Sequence, residues 1–171
     1  MKKFIVLMMI ATTAFFTGCE GPEGPQGPQG ITVEAEVFEL LSVDFEADNN
    51  GEYSIYEILD PQILASDVLL IYRMTGTIDS NTPIWQPLPR TLFLDEGELD
   101  YDYDFSQEDF TIYAGGTYDL STTPEYINNQ TFRIVVIPGR FSRTTSQVDL
   151  SDYNAVARAY NIEEKDVVRI N

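Results

Sequence analysis

From Ile31 onward, apolar and polar residues alternate along the chain with a period of two. Between Val33 and Val37, for example, apolar residues alternate with glutamates. Successive side chains of a β-strand point to opposite faces of the sheet, so this alternation predicts strands that are buried on one face only. The phase of the alternation shifts between Phe38 and Leu41, which predicts a β-bulge there. We therefore expect an all-β fold.

Two segments, Val68–Tyr72 and Phe132–Ile137, are apolar on both faces. Such runs are typical of central strands that are covered on two sides. The segment from Trp85 to Leu94 contains Pro87 and Pro89, which cannot donate hydrogen bonds to a neighbouring strand, so we expect an edge strand there. Together with the shorter alternating segments and the turn sequences between them, these runs predict a β-sandwich of about seven strands.

The C-terminal residues 151–171 predict a short helix and a last strand. Ser151 is suited to an N-cap, and residues 152–160 have helical periodicity. One face of that helix carries the apolar residues Tyr153, Val156, Ala157 and Tyr160. Residues 167–170 are mostly apolar and favour a short strand. We expect this C-terminal segment to pack on a sandwich formed by residues 31–150.

The first eighteen residues have the composition of an export signal. Lys2 and Lys3 are followed by the apolar stretch from Phe4 to Phe16. As a helix this stretch would span about 20 Å, which is shorter than the roughly 30 Å hydrocarbon core of a bilayer. A basic start followed by a short apolar region is typical of a secretory signal peptide, which we assign to residues 1–18.

The sequence Phe16-Thr17-Gly18-Cys19 resembles a bacterial lipobox, in which small residues precede a cysteine. The resemblance implies cleavage before Cys19 and lipidation of that residue on its sulfur and its new amino group. Three acyl chains on one residue exceed the two signals that stable membrane anchoring requires. We therefore expect Cys19 to be a lipid attachment point rather than a nucleophile.

Residues 19–30 continue with a collagen-like pattern. Glycine occurs at every third position, at Gly21, Gly24, Gly27 and Gly30. Proline directly follows each of the first three of these glycines. A proline-rich chain favours extended polyproline II, so the segment predicts a semi-rigid linker about 30 Å long. A collagen triple helix is the alternative, although three triplets are few for that structure.

A lipobox, an acidic residue and then the sequence GPEGPQGPQG together resemble short collagen-like lipoproteins of Gram-negative bacteria. In that family, a lipid anchor and a few glycine–proline triplets precede one uncharacterised β-rich domain. The resemblance implies export and lipid anchoring in the cell envelope, with the outer membrane as the expected location. It implies no particular activity.

The composition excludes several classes of chemistry. The chain has no His and a single Cys, which excludes Ser-His-Asp triads, Cys-His pairs and thiolate metal clusters. Its formal net charge of -18 argues against nucleic-acid binding, which needs clustered Lys and Arg. The charge also predicts a monomer, since two such chains repel each other.

The most acidic local sequence includes Asp100, Asp102 and Asp104, which alternate with aromatic residues. On a strand, these three carboxylates share one face and lie about 6.6 Å apart, so they repel one another. Calcium favours such oxygen ligands, and the three residues are our candidate metal site. The alternative is a solvated outer face above an aromatic inner face. No other cofactor is expected.

Arg73 directly follows the apolar segment Val68–Tyr72, and Arg133 lies inside the apolar segment Phe132–Ile137. If their strands neighbour the acidic strand, either arginine could pair with its aspartates. Trp85 and Tyr101 are candidates for sugar binding, because exposed aromatic residues beside carboxylates bind glycans. These observations favour a lipid-anchored, non-catalytic structural or interaction protein with an unidentified protein or glycan ligand. The alternatives are a glycan- or calcium-binding module and, less favoured, a carboxylate-based glycoside hydrolase.

Overall fold

The computed structural model describes residues 35–80, 82–139 and 148–170. Contacts divide the chain into two units, residues 1–32 and residues 33–171, and the described residues belong to the second unit. The predicted signal peptide, the lipobox with Cys19 and the four linker glycines lie outside the described residues. Within the described ranges, no helix is both long enough and apolar enough to cross a bilayer.

Ten strands account for most of the described chain. They are β1 (Glu36–Val43), β2 (Glu46–Ala47), β3 (Tyr53–Ile58), β4 (Val68–Asp79), β5 (Thr82–Pro87), β6 (Arg90–Phe93), β7 (Glu98–Phe105), β8 (Asp109–Gly116), β9 (Gln130–Ile137) and β10 (Val168–Ile170). The one α-helix of this part of the chain is α1 (Tyr153–Ala159), and 3-10 turns cover Leu120–Thr122, Pro124–Tyr126 and Glu164–Asp166.

The strands form two five-stranded sheets. The first sheet has the order β10-β1-β9-β4-β5, and the second has the order β2-β3-β8-β7-β6. The pairing of β1 with β10 is parallel, whereas the other strand pairings within the described residues are antiparallel. The all-β prediction is therefore confirmed, with more strands than the seven expected.

The predicted central and edge strands are found where the sequence places them. The two doubly apolar segments lie in β4 and β9, which are interior strands of the first sheet. The proline-containing segment 85–94 forms the end of β5 and all of β6, and these are edge strands of different sheets. Splitting this segment between the sheets is one reason why the strand count exceeds the prediction. The predicted bulge is present in β1 as a register shift between Leu40 and Val43.

The inward side chains of both sheets pack into one core. Its fully buried members include Leu69, Ile71 and Phe132 from the first sheet and Leu99 and Ile112 from the second. Burial of each such aliphatic or aromatic side chain stabilises the fold by about 1.5–3 kcal/mol. Two sheets that share one core have the arrangement of a β-sandwich.

A second apolar cluster covers the outer face of the first sheet. Tyr153 and Val156 of α1, with Tyr160 after it, pack against Tyr72 and Val135 of the sheet. The predicted amphipathic helix is therefore confirmed, and it buries its apolar face on the sandwich. The first sheet is thus covered on both faces, which explains why Val68–Tyr72 in β4 and most of Phe132–Ile137 in β9 are apolar.

The N-cap of α1 differs from the prediction. Asp152, not Ser151, precedes the first helical residue, and its carboxylate accepts a hydrogen bond from the Asn154 amide at 2.9 Å. Ser151 instead donates its hydroxyl to the Asp149 carboxylate at 2.6 Å. An Asp carboxylate accepts hydrogen bonds from the free amides of a first helical turn as well as a serine hydroxyl does. Both Ser151 and Asp152 are therefore suited to the N-cap by residue type.

Candidate functional site

The acidic strand β7 presents its aspartates to solvent and its alternate residues to the core. Asp100, Asp102 and Asp104 are exposed, whereas Leu99 before them and Tyr101 between them are buried. The outer face of the second sheet is thus acidic above an aromatic and aliphatic inner face. This is the solvated-face alternative that the sequence left open.

Each of the three aspartates has a different hydrogen-bond partner. Asp100 accepts a hydrogen bond from the Thr91 hydroxyl at 2.5 Å, and Asp104 accepts one from the Tyr113 hydroxyl at 3.0 Å. Asp102 accepts one from the neighbouring backbone amide of Tyr103 at 2.8 Å. Within the described ranges, no group of three or more Cys, Asp or Glu residues is placed to hold a metal ion. Calcium binding by these aspartates stays a prediction.

Two exposed tyrosines lie on the same face, one on β8, which is next to β7, and one on β3, which is next to β8. Tyr113 of β8 and Tyr56 of β3 are 40% and 58% exposed. Tyr56 lies opposite Thr111, and Tyr113 lies opposite Ser54, so the two tyrosines are diagonal neighbours on adjacent strands. Diagonal neighbours of this kind lie about 7–8 Å apart, so a single bound sugar can contact both side chains.

We call this surface the acid–tyrosine face. It consists of the outward residues Glu46, Ser54, Tyr56, Ile58, Thr91, Phe93, Glu98, Asp100, Asp102, Asp104, Asp109, Thr111 and Tyr113. The face carries carboxylates, hydroxyls, two phenol rings and the exposed apolar side chains of Ile58 and Phe93, and none of these residues is Lys or Arg. It is therefore a flat anionic surface with many hydrogen-bond acceptors.

Both tyrosines of the face are coupled to carboxylates. The Tyr56 hydroxyl donates to Asp109 Oδ2 at 3.0 Å, and this hydrogen bond is the main cause of the raised pKa of Tyr56. For Tyr113, a hydrogen bond with Thr111 lowers the pKa, but desolvation and the hydrogen bond to Asp104 raise it overall. Both phenols therefore stay protonated at neutral pH and act as donors to these carboxylates.

The condition for pairing the two arginines with the β7 aspartates is not met, since β4 and β9 belong to the first sheet and β7 belongs to the second. Arg73 does reach β7, but from the core side, where its guanidinium carbon lies 4.7 Å from the centroid of the Tyr101 ring. Its Nε donates to Gln130 Oε1 at 2.8 Å. Because side chains alternate along a strand, a group in the core meets the inward Tyr101 and not the outward aspartates.

Arg133 points to the opposite side of the first sheet and forms a buried ion pair there. Its Nε donates to Glu39 Oε1 at 2.8 Å, and its Nη2 lies 2.9 Å from Glu164 Oε2. Its guanidinium carbon lies 4.4 Å from the centroid of the Trp85 ring, which gives a cation–π contact. The pair joins the first sheet to the C-terminal segment and lies away from the acid–tyrosine face.

The two aromatic residues predicted to bind sugars are not on the exposed face. Tyr101 is 1% exposed and belongs to the core, so it cannot stack on a ligand. Trp85 packs against Arg133 and Tyr153 on the helix side of the first sheet. The tyrosines that sequence reasoning missed are Tyr56 and Tyr113. The alternation of apolar Ile55 with Tyr56 already carried a signal that Tyr56 faces outward.

Comparison of this chain with protein-family models finds no match, and comparisons with curated proteins and with solved structures find none either.

Proposed function

We propose that this chain is a lipid-anchored protein of the cell envelope, with a non-catalytic interaction or structural role for its β-rich domain. The Lys2–Lys3 start, the apolar stretch and the lipobox-like residues Phe16–Cys19 support the anchor. The observation that carries the interaction role is the acid–tyrosine face, a sheet surface that is open to solvent and bears two exposed tyrosines. The resemblance to collagen-like lipoproteins supports export to a Gram-negative envelope, and the negative net charge supports a monomer.

The arrangement of the carboxylates supports a non-catalytic role. A glycoside hydrolase needs two carboxyl groups that flank one scissile bond, one of them acting as an acid. On the acid–tyrosine face, Asp100, Asp102 and Asp104 are spread along one strand of a flat sheet. Their separate hydrogen bonds to Thr91 and Tyr113 make them parts of the surface rather than a converging pair.

Replacement of Cys19 by Ala tests the anchor. We expect the Cys19→Ala protein to lose labelling by a radioactive fatty acid and to leave the membrane fraction, while circular dichroism still shows a folded β-domain. Thr17→Ala keeps a small residue before the cysteine and is the matched control, which should stay labelled. Retention of Cys19→Ala in membranes after a high-salt wash would contradict the anchor.

Glycan binding on the acid–tyrosine face is a second candidate function, favoured by Tyr56 and Tyr113. A phenol ring offers an apolar surface for the face of a sugar ring, and the neighbouring carboxylates accept hydrogen bonds from sugar hydroxyls. Asp104 and Asp109 already fix the two phenol hydroxyls, so the rings are held in place before a ligand arrives.

Titration of the full chain with cellohexaose and chitohexaose tests this second function. We expect Tyr56→Ala and Tyr113→Ala each to weaken binding about tenfold or more, because each removes one stacking surface. Ile78→Ala is the matched control, since Ile78 is 74% exposed on the first sheet and lies outside the face. Failure of the unmodified chain to bind either oligosaccharide, or equal weakening by Ile78→Ala, would count against a glycan site there.

A further inference from the structure

The inward apolar side chains of the first sheet are exposed to solvent at the β10 edge. Val168 pairs with Phe38 and Ile170 pairs with Leu40, so both β10 residues point to the same face as the core residues of β1. Leu40 is 1% exposed, but Val168 is 61% exposed and Ile170 is 44% exposed. Inward side chains of a sandwich are normally covered by the opposite sheet, and these two are not.

A groove of about 570 Å³ lies along this edge. Its apolar lining includes Phe38, Ile58, Ile63, Val168 and Ile170. Ile58, at the end of β3, is itself 70% exposed. The groove is therefore a concave apolar surface that the described residues leave in contact with solvent, and its burial by a ligand would be favourable.

Carboxylates surround this apolar lining. Glu36, Asp60 and Asp166 line the groove, and no Lys or Arg within the described ranges does so. Arg169, which lies between the two exposed β10 residues, points to the opposite face and lies 3.2 Å from Glu39. The groove thus combines an apolar floor with a negatively charged rim, and it would attract a ligand that is both apolar and cationic.

The edge of β10 adds a third feature. β10 is the last strand of the first sheet, and no described strand pairs with its outer side. An edge strand exposes backbone donors and acceptors that an extended peptide can join as an additional strand. A strand added there would place every second side chain over the groove, next to Val168 and Ile170.

We propose that this groove binds an extended segment of a partner protein, in which Lys or Arg residues flank a short apolar run. The segment adds to β10 as a strand, its apolar side chains fill the groove beside Val168 and Ile170, and its basic side chains pair with Glu36, Asp60 and Asp166. This site shares only Ile58 with the acid–tyrosine face and is independent of the proposed anchor.

Charge and shape favour this occupant over the other candidates. A second copy of the chain would carry the same net charge of -18 and would be repelled. An anionic membrane surface would be repelled by the acidic rim for the same reason. A glycan would leave the aliphatic floor without a complementary apolar partner, whereas an apolar run with flanking basic side chains matches both the floor and the rim.

Binding of a short synthetic peptide tests the proposal. The probe is a fluorescein-labelled peptide of seven residues in which Lys residues flank a central run of Val and Ile, and the control peptide has Glu in place of each Lys. Fluorescence anisotropy with the full chain in a mild detergent should show saturable binding of the Lys peptide. The affinity should exceed that for the Glu peptide about tenfold or more and should fall as salt is added.

Substitutions at exposed positions locate the binding. The double variant Val168→Thr with Ile170→Thr keeps β-branched residues in the strand and should weaken peptide binding at least about fivefold. Asp166→Asn and Asp60→Asn should each weaken it about two- to threefold at low salt, and this effect should vanish in about 0.5 M salt. Ile78→Thr and Asp104→Asn are matched controls on other surfaces and should leave binding unchanged.

Four outcomes would overturn the proposal. The first is equal binding of the two peptides, and the second is full binding by the Val168/Ile170 double variant with an unchanged melting curve. The third is sedimentation of the chain as a dimer that Val168→Thr disrupts. The fourth is binding of the groove to phosphatidylglycerol vesicles in the absence of peptide. If the double variant melts at a lower temperature, the two charge variants and their salt dependence decide the result.

Discussion

At the scale of single residues, Arg133 shows how a cation is accommodated inside an apolar strand. Arg133 is 2% exposed and Glu39 is 4% exposed, so both charges are removed from water. Burial acts to lower the pKa of Arg133, but the contacts with Tyr153, Glu39 and Glu164 raise it overall. The arginine therefore stays charged, and its neutralisation depends on its partners.

We expect Glu39→Ala to destabilise the domain by about 3 kcal/mol, because it leaves the buried Arg133 without its principal partner. Urea unfolding followed by circular dichroism measures this loss. Glu163→Ala is the matched control, since it removes an exposed ion pair with Lys165 and should change stability by less than about 0.5 kcal/mol. Similar losses in the two variants would contradict a structural role for the buried pair.

At the scale of secondary-structure elements, short elements depend on their ends and on their packing. The helix α1 has seven residues, which is too short for a stable isolated helix in water. Its N-cap and its contact with the first sheet therefore decide whether it forms. The end of strand β8 also depends on packing. The strand ends at Gly115 and Gly116, where the following 3-10 turn packs closely against it.

The helix cap gives a direct test of the corrected N-cap residue. Asp152→Ala removes the carboxylate that accepts the Asn154 amide hydrogen bond, so we expect a loss of about 1 kcal/mol in urea unfolding. Ser151→Ala should cost less, because the Ser151 hydroxyl bonds to Asp149 outside the helix. If Ser151→Ala is the more costly change, the sequence-based assignment of the cap is the better one.

The two glycines at the end of β8 should differ sharply in tolerance. A Cβ atom on Gly116 would lie 2.8 Å from Leu120 Cδ2 and 2.9 Å from the Glu98 carbonyl oxygen, whereas one on Gly115 would meet nothing within 4 Å. We expect Gly116→Ala to destabilise the domain by about 1–3 kcal/mol and Gly115→Ala to leave it nearly unchanged. Thermal melting of both variants checks this, and equal melting temperatures would refute the close approach.

At the scale of the whole molecule, buried tyrosines connect the layers. The Tyr103 hydroxyl of the second sheet donates to the Leu69 carbonyl of the first sheet at 3.1 Å. The Tyr72 hydroxyl of the first sheet donates to the Leu150 carbonyl, just before α1, at 2.7 Å. Tyr101 donates to the Tyr126 carbonyl at 2.6 Å. These bonds exist only while the phenols are protonated.

This arrangement predicts a loss of stability at alkaline pH. Burial raises the pKa of Tyr101 to about 12 and also raises the pKa of Tyr72 and Tyr103, whereas an unfolded tyrosine titrates near 10. The unfolded chain therefore releases protons first, and the stability that these groups contribute is present below pH 10 and is lost as pH rises toward 12.

Urea unfolding at pH 8 and at pH 11 measures this effect, and tyrosinate absorbance near 295 nm shows when the phenols titrate. For Tyr101 alone, a shift of two pKa units corresponds to about 2–3 kcal/mol at full titration. Tyr101→Phe should reduce the pH dependence. Equal stability at both pH values would contradict the predicted role of the buried phenols.

Much of the fold follows from local patterns in the sequence. Period-two alternation predicts strands such as β1 and β7, and the doubly apolar runs predict the interior strands β4 and β9, because burial on two faces favours apolar residues at most positions. Pro87 and Pro89 predict edge strands because proline lacks an amide hydrogen. The proposed anchor at Cys19 likewise rests on the sequence alone, since it depends on the order of residues and not on a fold.

Tertiary structure decided which residues meet. Nothing local indicates that the segment 85–94 divides between two sheets, or that Arg133 pairs with Glu39, ninety-four residues earlier in the chain. Tyr101 and Tyr56 both lie on strands in which inward and outward residues alternate, yet Tyr101 is buried and Tyr56 is exposed. The sequence sets the alternation, but only the packing of one sheet on the other determines which of the two alternating faces is turned to water.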